Sequence, residues 1–353
     1  MKVGRLARGG SYAILLTVVL GCGGESGRTV SPDSPPGSPT TRRLVFVGFD
    51  SSQPLVEALR QGKLQGLVVQ NPFRMGEMGV RTLVDSLEKR EVPKRISTGE
   101  TLATPENMGE PAVATLLTPP QEENQGGGGI PKEKAKWRVM VIPKGTSHAF
   151  WKSIHAGALN AAKDLGNVEV IWQGPQKEDE RSQQIQLVQN AIATGVDGIV
   201  LAPLDSRALV KPVEEAAAKG IPVVIIDSGL ETSQIVGYVA TDNYHGGVLA
   251  ARRLGELLKG EGKIILLRYA IGSASTEERE RGFTETIAEE FPKITYLSNT
   301  EYAGATSDMA QQKGQNLVTR FRGQVDGVFC PNESSTFGML RALEGAGMLA
   351  SRP

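Results

Sequence analysis

Short runs of apolar residues alternate along this chain with longer stretches in which apolar positions recur every three or four residues. The short runs are "LVFVGF" (44–49), "LQGLVV" (64–69), "WRVMVI" (137–142), "VEVIWQ" (168–173) and "GIVLA" (198–202). They continue with "PVVIID" (222–227), "VGYVAT" (236–241), "KIILLRY" (263–269), "ITYLSN" (294–299) and "GVFC" (327–330). Several are apolar on both alternating faces, as strands buried between two helix layers must be. Between Phe150 and Leu165, Ile154, Ala158, Ala161 and Leu165 share one helical face, and Gly166 supplies a C-terminal stop. The stretch after Asp50 offers Ser52 as a cap, Pro54 in the first turn and Gly62 as a stop. This alternation predicts the α/β class with parallel, doubly wound (Rossmann-like, flavodoxin-like) sheets.

An internal repeat divides the pattern into two lobes. "VDGIVLAP" (196–203) and "VDGVFCPN" (325–332) match, and each follows a strand at a similar distance. In the first lobe a helix and then "IPVVIIDS" (221–228) come after the repeat. In the second, the helix "SSTFGMLRALEGAGM" follows and the sequence stops at Pro353, where the matching strand is due. A strand of that kind, "RRLVFVGFDS" (42–51), stands at the front with nothing before it to pair with. The expectation is a circular permutation in which 42–118 completes the second lobe. The Gly-rich stretch 119–136 would join the old ends, spanning roughly 24 Å as a coil and up to about 60 Å extended. The alternative is a truncated tandem array, with 42–118 the tail of one copy and 137–353 the head of another.

The expected division is therefore 1–21 a signal peptide, 22–41 a disordered tether, 42–118 the permuted segment and 119–136 the linker. Residues 137–240 make lobe 1 and 241–353 lobe 2, with 42–70 and about 101–118 added to lobe 2 and about 71–100 to lobe 1. At the front, Lys2, Arg5 and Arg8 precede the apolar run "YAILLTVVL" (12–20), and "VLGC" ends at Cys22. This resembles a bacterial lipoprotein signal, cleaved so that Cys22 carries lipid. The apolar run is about half the ~20 residues of a spanning helix. The expected location is the periplasm or cell envelope, held to the membrane by that lipid. Cys330, the second of two cysteines, then reads as a buried free thiol with no disulfide framework.

Charge narrows the partners. Lys+Arg and Asp+Glu both number 39, so no net charge draws the chain to nucleic acid, and none is expected as a partner. In open α/β sheets, ligands bind beyond the carboxyl ends of the strands. Those ends carry "PKGTSHAFW" (143–151), Asp227, "PNE" (331–333), Asp50 and "QNP" (70–72), with Arg279 and Arg281 in "TEERERGF" after Tyr269. The set holds carboxylates, amides, Arg and adjacent aromatics. It has no Cys–His cluster, no Ser–His–Asp arrangement and no phosphate-cradling Gly loop, so no metal, cofactor or enzymatic reaction is expected. It suits a neutral polyol: carboxylates and amides meet hydroxyls, and Phe150 and Trp151 can cover the C–H faces of a sugar ring. Ser206 reads as a helix cap, Asp242 and Asn243 as hinge-turn residues, and "KEDER" (177–181) as a solvated helix start.

At these residues the chain resembles the periplasmic sugar-binding proteins of the ribose-binding (type I) family, relatives of LacI-type effector domains. "GTSHAFWKSIHAGA" is similar to that family's first strand–helix turn, and "VVIIDS" with "VATDN" to its fourth strand and hinge approach. "SASTEERERGF", "GVFCPNESSTFGMLRAL", "VGFDSSQPLVEALRQGKLQGLVVQNPFRMG" and "KRISTGETLATPENM" are similar to its later segments in native order. The resemblance implies that His148, Phe150, Trp151, Asp227, Arg281, Asn332, Asp50 and Gln70 contact ligand. It implies a monomer with three chain crossings at a hinge, which closes on a pentose, hexose or related polyol and presents it to an ABC permease. A membrane sensor in place of the permease, or an enzyme on the same fold, are the alternatives. The ribose binders carry Asn at His148, Phe at Trp151, Arg at Ser228 and a third aromatic near Ala305, so the resemblance favours a small polyol over ribose itself.

Overall fold

A computed structural model describes residues 44–120 and 135–349. The expected signal peptide, the expected tether, the expected lipidation site Cys22 and most of the expected linker lie outside the described residues. The described residues build two six-stranded sheets. The first runs, edge to edge, β3 (Arg95–Ser97), β9 (Gly237–Ala240), β8 (Val223–Ile226), β7 (Gly198–Leu201), β5 (Trp137–Ile142) and β6 (Val168–Trp172). The second runs β11 (Lys293–Ser298), β10 (Glu261–Leu266), β12 (Gly327–Phe329), β1 (Val45–Phe49), β2 (Gly66–Gln70) and β4 (Glu100–Ala103).

All ten apolar runs are strands. The front strand β1 lies inside the second sheet, parallel to β12 (Val45 beside Gly327) and to β2 (Val47 beside Gly66). Read outward from the opposite edges, the two sheets have the same order. β1 holds in the second the place that β8 holds in the first, and β2 the place of β9. The sequence pattern missed β3 and β4. They are short, half-exposed and separated by Gly99 at φ 83°, so no apolar run marks them. β4 pairs antiparallel with β2, the exception in otherwise parallel sheets.

Each sheet is covered on both faces. In lobe 1, α2 (Pro72–Leu87) and α4 (Ala149–Leu165) cover one face, burying Met75, Leu83, Ile154 and Ala158 against Val141, Val200 and Val224. On the other face α5 (Arg181–Thr194) and α6 (Val210–Ala218) bury Val188, Ala191 and Val213 against Ile142, Ile199 and Ile225. Lobe 2 repeats the plan. α7 (Asn243–Leu257) and α8 (Ala274–Glu290) cover one face. α1 (Gln53–Arg60), α3 (Pro111–Leu117), α9 (Ser307–Arg320) and α10 (Glu333–Gly345) cover the other. Cys330 is free and fully buried there, and burial pushes its thiol far above its ordinary pKa, as an inert core residue requires.

The chain passes between the sheets three times among the described residues. It crosses after Gln70 from β2 to α2, at Gly99 from β3 to β4, and after Ala240 from β9 to α7.

The interlobe cleft as candidate functional site

Parallel strands end together, so the carboxyl ends of both sheets bring their following residues to one cleft. Asp50 follows β1 and Asp227 follows β8, the equivalent strands of the two lobes. Both have left-handed backbones, at φ 68° and 61°, a region uncommon for non-glycine residues and one that aspartate enters more readily than most. The Asp50 carboxylate accepts from Gln70 Nε2 (2.6 Å) and from the backbone N–H of Glu333 (2.9 Å). Burial raises the Asp50 pKa; Arg279, Gln70 and the Glu333 amide pull it back, and Asp227 adds a further upward push. The two aspartates are thus near enough to feel each other's charge.

The cleft is lined by Asp50, Gln70, Asn332 and Glu333 from one side and by Lys144, His148, Phe150, Trp151 and Glu178 from the other. Tyr269, Ser275, Thr276 and Arg279 complete it. Its cavity volume is about 30 Å³, room for about two waters and far short of the roughly 300 Å³ at which ligand pockets begin. A larger hollow of about 410 Å³ lies elsewhere, around Ile221–Val223 and Val236 at the opposite, amino ends of β8 and β9. It has no convergent polar set, so the chemistry points to the smaller cleft.

Of the eight residues expected from the sequence, six line this cleft: Asp50, Gln70, His148, Phe150, Trp151 and Asn332. Asn332 also caps α10, its side chain accepting from Ser335 N–H in a reciprocal capping box. Trp151 is half core, packed edge-on to Phe150 with ring centroids 4.9 Å apart. Asp227 sits one step behind the cleft wall. Its Oδ2 is 2.8 Å from Lys144 Nζ, yet the pair is poorly aligned and that oxygen receives no hydrogen bond.

Arg281 is a correction. Its side chain is 53% exposed, paired with Glu278 and stacked on Tyr244 outside the cleft. The arginine in the cleft is Arg279, which is 2% exposed. It donates to Asn243 Oδ1 and Pro331 O (2.9 Å each) and lies 4.0 Å over the Phe49 ring. Helical spacing explains the exchange: Ser275, Arg279 and Phe283 recur every four residues on the buried face, and Arg281 points the other way.

Glu178 corrects the solvated reading of "KEDER". It lies beyond β6, at the same end of the sheet as the other cleft residues. It accepts from Trp151 Nε1 (2.7 Å) and, across the cleft, from Tyr269 Oη (2.5 Å), and it pairs with His148 Nδ1 (3.1 Å). Burial works against both charges of the His148–Glu178 pair. The carboxylate outweighs it at His148, whose pKa rises to about 9, and the imidazolium with Tyr269 and Lys144 carries Glu178 down to about 2. Lys144 reaches Ser273 and Ser275 of lobe 2 (3.4 and 3.2 Å), and Ser275 N–H donates to Ser228 Oγ (3.0 Å). The lobes are drawn together through these polar contacts. Lys144 also supplies a cation beside Asp227. Among the described residues no cluster of His, Cys, Asp and Glu could hold a metal.

Residues 139–353 match the periplasmic binding protein domain family. The chain belongs to that family. It is 30% identical to the xylitol-binding protein of Mycolicibacterium smegmatis over 181 residues, 51% of each chain, so the match spans about half of that relative. It is 28% identical to a ribose import binding protein of Bacillus subtilis, over 67% of this chain and 73% of the other. Among solved structures, a carbohydrate transporter solute-binding protein from Agrobacterium radiobacter, in complex with D-arabinose, aligns with a TM-score of 0.58. It is 31% identical, covering 61% of this chain and 73% of that one. All three relatives are named as binding or transport proteins, none as an enzyme.

Proposed function

We propose that this protein is a lipid-anchored, extracytoplasmic solute-binding protein that captures one small sugar or polyol in the interlobe cleft and delivers it to an ABC permease. The observation that carries the reading is convergence. Carboxylates, amides, an arginine and two aromatics come from both lobes to one buried cleft, the donor and acceptor set that hydroxyls and sugar C–H faces require. Asp50, Gln70, His148, Phe150, Trp151 and Asn332, with Asp227 behind Lys144, are the proposed contacts, and Arg279 takes the role that the family resemblance implies for Arg281. Binding proteins for xylitol and ribose among the relatives, and bound D-arabinose in a neighbour, support the substrate class. The cleft is too small for a sugar as it stands, so uptake requires the lobes to part about the three crossings. A ligand touching both lobes then favours closure.

The anchor would be Cys22, and the mature protein a monomer. The order of segments is read as a circular permutation. β1 supplies the counterpart of β8, and the family match begins at residue 139, after the Gly-rich linker. A chain rebuilt as 137–353 followed by 42–118 should fold and bind as this one does.

A thermal-shift screen of the purified protein against pentoses, hexoses and sugar alcohols tests the function. A ligand at 100 times its dissociation constant adds about 2.7 kcal/mol of stability. Stabilisation by amino acids or nucleotides and by no polyol would overturn the substrate class.

A further inference from the structure

Glu333, the first residue of α10, lines the cleft beside Asp50. Its backbone N–H is spent on the Asp50 carboxylate. Its carboxylate oxygen Oε2 is buried and receives no hydrogen bond. The other carboxylates in the site have close cations or several donors: Glu178 has His148, Trp151 and Tyr269; Asp227 has Lys144; Asp50 has Gln70 and the Glu333 amide. Glu333 takes a hydrogen bond from Ser52 that leaves its Oε2 unmet. A buried acceptor left in this state costs stability, which a native site retains where a ligand completes it.

We propose that Glu333 is a ligand-contacting carboxylate, which accepts a hydrogen bond from a hydroxyl of the bound sugar and gives up a proton to solvent as the ligand binds. The inference rests on the sugar-binding reading of the same cleft and adds a residue and a proton to it. The groups that face Glu333 come from four elements. His148 at the start of α4 draws its pKa down, as does a hydrogen bond from Ser52 ahead of α1; Asp50 after β1 and Glu178 in the β6–α5 loop push it up. Burial is the largest influence, and the balance leaves the carboxyl titrating at about 7. Part of the population therefore carries a proton at neutral pH. Because Oε2 is already stripped of water, an arriving hydroxyl brings a donor without a further desolvation cost. An ionised acceptor makes the stronger hydrogen bond, so the ligand favours the deprotonated form. Affinity should then be about tenfold weaker at pH 6 than at pH 8, the linkage expected when a group of pKa about 7 must ionise to bind.

The test is isothermal titration calorimetry of the full chain with the polyol that gives the largest thermal shift, at neutral pH in phosphate and in Tris. The expected result is a buffer-dependent heat equal to release of several tenths of a proton, larger toward pH 6 and gone by pH 8. Glu333→Gln, judged folded by its melting transition, should abolish the release and leave an affinity that no longer changes between pH 6 and 8. A heat independent of buffer, proton uptake in place of release, or the same release from Glu333→Gln would overturn the proposal. No shift with any polyol would instead remove the sugar-binding reading, and this inference with it.

Discussion

Gln70 and Thr241 occupy equivalent positions, at the ends of β2 and β9, and the Thr241 hydroxyl donates to Gln70 Oε1 at 2.8 Å. Each stands at a different chain crossing, and the same hydroxyl lies 3.4 Å from the carbonyl of Gly99 at the third. One buried side chain therefore ties all three hinge segments, and Gln70 passes the tie on to Asp50. Thr241→Val keeps the shape and removes the donor, leaving a buried acceptor unpaired. The expected loss is about 1–3 kcal/mol in urea denaturation, with a looser hinge seen as a larger radius of gyration in X-ray scattering. A variant as stable and compact as the parent would show that the crossings do not depend on this bond.

The bond from Tyr269 to Glu178 spans the lobes, joining the end of β10 to the loop after β6. Hydrogen bonds to a charged group contribute about 1.5–3 kcal/mol, so Tyr269→Phe should favour the open arrangement and weaken ligand affinity roughly ten- to a hundredfold. Calorimetric titration with the cognate polyol checks this. Unchanged affinity would mean that closure does not use the latch.

The His148–Glu178 pair makes stability depend on pH in a stated direction. His148 titrates near 9 in the folded chain against an ordinary 6.5, so its contribution is complete below about pH 6.5 and is lost as pH rises through 9. Glu178 titrates near 2 against an ordinary 4.5, so its contribution is complete above about pH 4.5 and is lost as pH falls toward 2. Denaturation midpoints should be highest between about pH 4.5 and 6.5 as far as this pair is concerned. The alkaline decline, about 1–3 kcal/mol, should flatten in His148→Gln. An equally steep decline in that variant would place its origin elsewhere.

Arg279 and Arg281 differ by two residues and a half-turn of helix. Arg279→Ala removes a buried cation from the cleft, leaves Asn243 and the Pro331 carbonyl without their donors, and should cost about 2–4 kcal/mol together with ligand binding. Arg281→Ala breaks exposed pairs and should stay within about 0.5 kcal/mol of the parent with full binding. Reversed effects in parallel thermal-shift titrations would restore Arg281 to the site.

That pair also shows where the sequence was legible and where it was not. Strands buried on both faces announce themselves as apolar runs, and the polar residue after such a run is placed by the sheet, as Asp50, Gln70 and Asn332 are. Arg279 needed helical phase, which Ser275 and Phe283 carry in the sequence. Glu178 had no such signal. It sits in a charged run that reads as solvated, and its burial comes from Trp151, His148 and Tyr269 closing over it, a consequence of how the lobes meet. β3 and β4 escaped because hinge strands are short and half-exposed, with no core face to pattern them.

The joint between the front segment and the rest of the chain makes the last prediction. α2 and α4 come from opposite sides of the Gly-rich stretch 119–136 in the sequence and meet through glycines. A Cβ on Gly157 would stand 1.9 Å from the Phe73 carbonyl oxygen, and one on Gly76 would stand 2.0 Å from that of Ile154. Lobe 2 repeats the device between α7 and α8, where Gly247 and Gly282 would meet the carbonyl oxygens of Arg279 and Tyr244 at 2.0 and 2.1 Å. The obstacle in each case is backbone, which cannot rotate away, so the helices themselves must separate. Gly157→Ala should therefore cost at least the 1–3 kcal/mol typical of an overpacked core, despite alanine's better helix propensity. Gly345→Ala, at the end of α10 with open space around it, should be neutral or stabilising by up to about 1 kcal/mol. Urea denaturation of the two variants separates the effects, since propensity alone would stabilise both. A neutral Gly157→Ala would mean that the front segment does not seat on lobe 1 through this close backbone contact.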